Sequence, residues 1–472
     1  MGRDSGIIAT DVAGHTARKG RGGHPACFFM KIQLSDHFTY QRLFRFTLPS
    51  IVMMIVTSVY SVVDGLFVSN LVGDNALAAV NIIFPLTMIV GAFGFMLGTG
   101  GSAQVAQTMG HGEGERAKEY FTTLILALIG GGILLSAVCI IFLRPLAVLF
   151  GASEVLMADC MAYGSIMLAG TPLFLLQTSF QSFLVTAERP KLGLALSVAA
   201  GVANMVLDYV FIGPMNLGVA GAALGTVSGY AVAGAIPLIY FALPNTSPLR
   251  FRKTKLYPRM LLKSCSNGMG ELMTNMSASL VAVLYNHSLM SIAGEPGVAA
   301  YSVMMYVDFI FAAISIGFVL GSAPIFSYQY GAGNEAELKS LFAKCIRVMG
   351  GITVTMAVSG QLLATTLARM FVSYDPALMA MTATGFRIFA LAFLFGGWNI
   401  FGSNLFTALG DGRVAVTLSF LRTLVFKCGA VLLLSMVFGL NGVWWSNVVA
   451  EGLAAAVTVW FLWRKREKYH YA

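Results

Sequence analysis

Apolar runs of about 18 residues or more recur along almost the whole chain, and a run of that length reads as a membrane-spanning helix. Lipid offers free backbone N–H and C=O groups no partner, so each span must be helical. Turn residues mark the breaks: VGDN at 72–75, GHGEGE at 110–115, ERPK at 188–191, GPMN at 213–216 and PNTSP at 244–248. The pattern predicts twelve spans, over 41–68, 75–100, 118–143, 158–186, 191–213, 217–243, 260–292, 297–325, 338–370, 376–408, 414–438 and 441–463. The expected fold class is therefore an all-α polytopic membrane protein. Of 472 residues only 11% are charged, against roughly 25% in soluble domains.

The net charge of +9 invites a nucleic-acid reading. The placement of the cations argues against it. Arg116, Lys118, Arg189, Lys191, Lys339, Lys344, Arg347 and Arg413 fall at alternate span ends. Arg250 to Lys263 cluster at the middle junction, and Arg464 to Lys468 in the tail. The opposite loops carry no Lys or Arg, so both termini are expected in the cytoplasm of a bacterial inner (plasma) membrane. Residues 1–29 are rich in Gly, Arg and His and lack an apolar signal core. They read as a disordered basic extension, and Met30 as the natural start. The six cysteines, Cys27, Cys139, Cys160, Cys265, Cys345 and Cys428, have no CxxC spacing and read as small apolar filler.

Shifting the sequence by 221 residues aligns its two halves. GDNALAAV at 73–80 falls on GEPGVAAY at 294–301, and GHGEGERAKEYF at 110–121 on GAGNEAELKSLF at 331–342. Thr186-Ala187 meets Thr407-Ala408, and Gly221 meets Gly442. Each copy holds an even number of spans, so both enter the membrane in the same direction, as parallel repeats do. The expected organisation is an N-lobe over 30–243, a cytoplasmic inter-lobe loop over 244–259, a C-lobe over 260–463 and a basic cytoplasmic tail over 464–472.

Asp64, Asp208, Glu271, Asp308 and Glu451 sit inside apolar spans, where each costs at least ~2.5–3.5 kcal/mol at mid-membrane. Tyr60 lies four residues before Asp64, and Asn204 four before Asp208, on the same helical faces. Thr226 and Tyr230 repeat that relation in the sixth span. The two acids, the amide oxygen and the Thr226 hydroxyl suit Na⁺. Two neighbouring carboxylates in a low-dielectric site also favour sharing a proton, which suits reversible H⁺ uptake. The alternative is that Asn204 and Asp208 only bond helices together. Pro49 either bends the first span or is an ordinary early-helix proline. Glu271, Asn286, Asp308 and Arg387 are candidates for a substrate cleft. Arg387 is read as nearly the only cleft cation and as a partner for Glu271 or Asp308, in an ion pair or a substrate contact. Glu451 reads as snorkelling toward the tail.

Other motifs carry little. GAFGFMLGTGG at 91–101 lacks the lysine of a phosphate loop, and its glycines suit helix packing. No HExxH, catalytic triad or DDxxD-type cluster is present, so an enzyme is not expected.

The stretches YSVVDGLFVSNLVGDNALAAVNIIFPL at 60–86, ANMVLDYVFI at 203–212, GVAGAALGTVSGY at 218–230 and GSAPIFSYQYGAGN at 321–334 resemble the multidrug and toxic compound extrusion (MATE) family. The closer resemblance is to its bacterial branch with acids in the N-terminal half, from about Met30 onward. It implies two six-helix lobes in a V around a central cleft, working by alternating access. It also implies a cation site of Tyr60, Asp64, Asn204, Asp208 and Thr226, with Pro49 as the bend in the first helix. The implied activity is antiport of organic, often cationic, drugs against H⁺ or Na⁺ by a monomer in lipid, with no cofactor beyond the coupling ion. The acid of the tenth span that other branches use is absent, Arg387 standing there instead. A lipid-linked saccharide flippase of related architecture is the alternative; it would want several cations in the cleft.

Overall fold

The computed structural model of the protein describes residues 32–72, 74–372 and 375–472, without the side chains of 61–71, 74 and 75. The extension over 1–29 lies outside the described residues. Among them the chain is helical: α1 (Tyr40–Leu71), α2 (Asp74–Gly110), α3 (Gly114–Ile141), α4 (Leu143–Leu149), α5 (Glu154–Ala169), α6 (Thr171–Thr186), α7 (Pro190–Ile212) and α8 (Gly218–Ala242) form the first half. The second half holds α9 (Pro258–Gly331), α10 (Glu335–Val372), α11 (Pro376–Ala390), α12 (Phe393–Ala408), α13 (Gly412–Phe420), a π-helical turn (Leu421–Phe426) and α14 (Lys427–Tyr469). Proline opens α7, α9 and α11, where its missing N–H and fixed φ cost nothing. The Asp375 side chain caps α11 by accepting from the N–H groups of Ala377 and Leu378.

Among the described residues eight helices are long and apolar enough to cross a membrane, or up to ten if each of two bent pairs is one span. The sequence reading places one span over each of 158–186 and 376–408, and the structure bends both. α5 and α6 meet at 53°, and α11 and α12 at 46°. Pro172 in the first turn of α6 supplies the cause of the first bend, since it cannot donate back into α5. The 74-residue α9 is interrupted at Gly294 (φ 65°, ψ −156°) and α14 at Gly439 (φ 57°, ψ −134°). Only glycine adopts such angles cheaply. Gly439 matches Gly218 at the 221 shift, and Gly218 also has positive φ, at 54°.

Each half has its own apolar core. Phe121, Phe180, Phe183 and Phe241 centre one cluster in the first half, and Ile83, Leu168, Phe174 and Tyr230 another. Tyr285, Phe386, Phe393 and Trp444 centre that of the second half. Between the halves, Ala92 and Met96 of α2 pack on Leu272 of α9, and Met260 of α9 joins the Phe121 cluster.

The halves also meet backbone to backbone. A Cβ on Gly110 would lie 2.1 Å from the Tyr328 oxygen, and one on the matching Gly331 would lie 2.2 Å from the Gln107 oxygen. Gly100 and Gly268 bring α2 onto the first part of α9, while Gly317 and Gly321 bring its second part onto α1 beside Ser50 and Thr47. All these approaches lie in the helix portions nearest the basic loops. There, too, the segment before α1 ties the halves together. Leu34 N–H donates to Glu188 at 3.0 Å, and its carbonyl accepts from Gln329 at 2.8 Å. Glu337 accepts from Phe38 N–H at 2.8 Å and bonds His37 at 2.5 Å, and Lys344 donates to the Phe38 carbonyl at 2.5 Å.

Candidate functional site

In the first half α7 carries Asn204 and Asp208 one turn apart. The Asn204 amide donates to Asp208 Oδ2 at 3.0 Å, and the two residues are 3% and 0% exposed. A carboxylate reaches that depth because α8 gives way to it. Gly221, Gly225 and Gly229 repeat every fourth residue and face α7. A Cβ on Gly225 would stand 1.8 Å from Asp208 Oδ1, and one on Gly229 would stand 3.3 Å from Asn204 Cβ. Small residues at this spacing let helix backbones close up; here they leave a notch shaped to the carboxylate. The Asn204 amide oxygen is buried with no hydrogen-bond partner among the described residues. A buried acceptor in that condition ordinarily costs about 1–3 kcal/mol.

Tyr60 of α1 packs its ring over Gly201, one turn from Asn204, and its hydroxyl accepts from Gln177 of α6 at 3.4 Å. Thr226 follows Gly225 on α8, half-buried, with its hydroxyl donating to the Ala222 carbonyl at 3.0 Å. Tyr230 is buried and stacks on Phe174 with ring centroids 4.6 Å apart. Asp64 lies in α1 one turn beyond Tyr60, and its side chain is outside the described residues. Thus α1, α6, α7 and α8 converge on one polar spot inside an apolar half. Gln177 and Gly225 belong to it, and the sequence reading missed both. The fourfold spacing of Gly221, Gly225 and Gly229 is the signal that could have found the second. Pro49 is buried within α1, where Gly317 and Gly321 let α9 cross it.

The four cleft candidates of the second half are not brought together. Glu271 accepts from Asn404 at 3.3 Å. Asn286 is exposed. Arg387 is exposed too and donates to Thr365 at 3.2 Å, pairing with neither Glu271 nor Asp308. Position 387 is on the outer face of α11, which is why the expected partnership fails.

Two other cations of this half, Arg422 and Lys427, converge on Glu451. Arg422 Nε donates to both Glu451 oxygens at 3.1 and 2.9 Å, Lys427 Nζ lies 3.3 Å away, and Asn399 donates at 2.7 Å. The Asn399 oxygen in turn accepts from Thr458 at 3.1 Å. Glu451 is 3% exposed, so it does not snorkel to the tail. Five residues apart, Arg422 and Lys427 would point about 140° apart on a regular helix. The wider π-helical turn over Leu421–Phe426 swings them to one side.

The MatE family model matches residues 49–210 and again residues 271–432, within one residue of the spacing of the internal repeat. Multidrug export protein MepA of Staphylococcus aureus (strain MRSA252) is 21% identical over 431 residues, covering 91% of this chain and 94% of that protein. Among solved structures, that of a MATE protein in complex with MaL6 is similar at a TM-score of 0.86 and 22% identity, covering 92% of this chain and 98% of that one. An outward-facing multidrug resistance MATE family transporter of the MOP superfamily gives 0.85 and 23%, covering 92% and 97%. These structures establish the likeness of fold. The two matches of one family model span well over half the sequence, and the chain therefore belongs to the MATE family.

Proposed function

We propose that this protein exports organic, often cationic, molecules from a bacterial cell in exchange for H⁺ or Na⁺. The observation that carries the reading is Asp208, fully buried in an apolar half, held by Asn204 and given its room by Gly225. An acid at that depth in a membrane protein marks an ion or proton pathway by default. The name of the MepA relative, a multidrug export protein, supplies the cargo class.

In this reading the chain crosses the membrane twelve times. Each bent pair is one span, and Gly294 and Gly439 each divide a long helix into two. The halves are two parallel lobes with both termini in the cytoplasm. The contacts between halves then lie on the cytoplasmic side, and the cleft is open outward. The cation enters at Asp64 and Asp208, with the unpaired Asn204 oxygen and Thr226 as further donors for Na⁺. Neutralising the acids lets α1 bend at Pro49, which reshapes the cleft and releases the drug. The lobes then rock, the cation leaves to the cytoplasm, and the ionised acids favour the next organic cation. One H⁺ exchanged for one monovalent cation moves no net charge, so the pH gradient drives it at about 1.4 kcal/mol per unit. The protein works as a monomer in lipid and needs no cofactor beyond the coupling ion.

Ethidium efflux from cells expressing Asp208→Asn tests this. Efflux is expected to fall to that of cells lacking the protein, with membrane levels unchanged. Wild-type efflux in the variant removes Asp208 from the mechanism.

A further inference from the structure

The loop between the halves and the first turns of α9, residues 244–263, hold Arg250, Arg252, Lys253, Lys255, Arg259 and Lys263 and no acid. The protein answers two of these charges itself. Arg252 pairs with Glu115 of α3, and Arg250 faces the same carboxylate. Lys253, Lys255, Arg259 and Lys263 are exposed, and their side chains make no hydrogen bond or ion pair among the described residues.

The backbone that carries them is pinned to α3. Arg252 N–H donates to Thr122 at 3.0 Å, the Lys255 carbonyl accepts from Thr123 at 3.3 Å, and Tyr257 donates to Glu119 at 2.5 Å. Phe251 stacks on Phe121 with ring centroids 5.4 Å apart, and Met260 is buried in the same core. Fixing the inward residues fixes the outward ones. Lys253 and Lys255 flank Thr254, whose hydroxyl turns in to that of Thr123 at 3.3 Å. Arg259, Leu262 and Lys263 stand at i, i+3 and i+4 of α9, on one helical face. Leu256 and Leu262 are 70% and 71% exposed among these charges.

We infer that residues 253–263 bind the headgroup of an anionic phospholipid. At the end of a membrane helix, unpaired Lys and Arg meet lipid phosphate while leucines between them enter the acyl boundary. The site lies on the seam between the halves. At the 221 shift residues 254–260 fall on 33–39, the segment that bonds to Glu337 of α10 in the opposite half. Its counterpart bonds in the same way to α3, which the repeat matches to α10. The cations themselves are not shared: Lys255 and Arg259 fall on Leu34 and Phe38. A lipid held here therefore braces the seam from one side only. The inference does not depend on the cargo or on the coupling ion.

Native mass spectrometry of the purified full chain in detergent, titrated with phosphatidylglycerol or with phosphatidylcholine, tests it. The wild type is expected to bind phosphatidylglycerol at least about tenfold more tightly, a preference that shrinks as ammonium acetate is raised. Combining Lys253→Gln, Lys255→Gln, Arg259→Gln and Lys263→Gln is expected to remove the preference. The same number of neutralisations at other exposed basic residues, Lys191→Gln, Lys339→Gln, Arg413→Gln and Arg464→Gln, is expected to leave it. Lys253→Arg, Lys255→Arg and Lys263→Arg together keep the charge and should keep the preference, which separates loss of charge from damage to the fold. Excess inorganic phosphate is expected not to displace the lipid, since it lacks the acyl chains that meet Leu256 and Leu262. Four results overturn the inference: equal binding of the two lipids by the wild type, a preference kept by the loop variant, an equal loss in the control variant, or displacement by inorganic phosphate.

Discussion

At the residue scale, the first-half site depends on a residue with no side chain. Gly225 admits the Asp208 carboxylate, and an added methyl would overlap Oδ1 at 1.8 Å. Gly225→Ala is favourable for helix propensity by about 1 kcal/mol, so the helix itself should form readily. We expect the variant to reach the membrane at wild-type levels yet transport ethidium at least about tenfold more slowly, because the displaced carboxylate loses its hold on Asn204. Unimpaired transport by Gly225→Ala would show that the notch is incidental. The Asn204–Asp208 pair was legible from spacing alone, since residues four apart share a helical face. The notch was not, because a glycine's role is fixed by what it faces. Arg422 and Lys427 escaped for a related reason: five residues apart, they share a side only where the helix widens to a π turn.

At the element scale, the run of spans could be read from hydropathy, but their bends could not. The apolar run from 158 to 186 is continuous, and hydropathy does not register the angle between α5 and α6. The breaks at Gly294 and Gly439 were legible, because loop residues cluster there and the 221 register repeats. The glycine pairs make the contact between halves unusually exacting. Gly331→Ala would press a methyl against the Gln107 carbonyl, 2.2 Å away, and the fault cannot be relieved by a rotamer change. Overpacking of this kind costs about 1–3 kcal/mol. Thermal unfolding in detergent should show a lower midpoint for Gly331→Ala. The exposed Gly333, whose Cβ would meet nothing within 4 Å, makes a poor control because its φ is 65°. Gly351→Ala, in open space within α10, should be neutral or slightly stabilising instead.

At the scale of the whole molecule, duplication gave both halves one frame, and each half then acquired its own polar site. The first holds an acid and an amide among glycines; the second holds two cations on one buried acid. The segment over 33–39 closes the basic side by bonding to Glu188 of the first half and to Gln329, Glu337 and Lys344 of the second. Nothing in its sequence announced that role, since its partners lie 154 to 306 residues away. On the proposed alternating access, these bonds break once per cycle. Glu337→Ala removes two of them, and it should raise the labelling rate of a cysteine placed at Ser327, on the cavity between the halves, in a cysteine-free background. A membrane-impermeant maleimide applied from the side of the basic loops gives the readout. An unchanged rate would mean that the segment does not hold the halves shut.

The central claim is that the acid site of the first half couples export to a cation gradient. Purified protein in liposomes, with a pH gradient and a Na⁺ gradient imposed separately, tests it most directly. The account predicts that at least one gradient drives ethidium transport by the wild type and that neither drives it in Asp208→Asn. Gradient-driven transport by Asp208→Asn at the wild-type rate would contradict it.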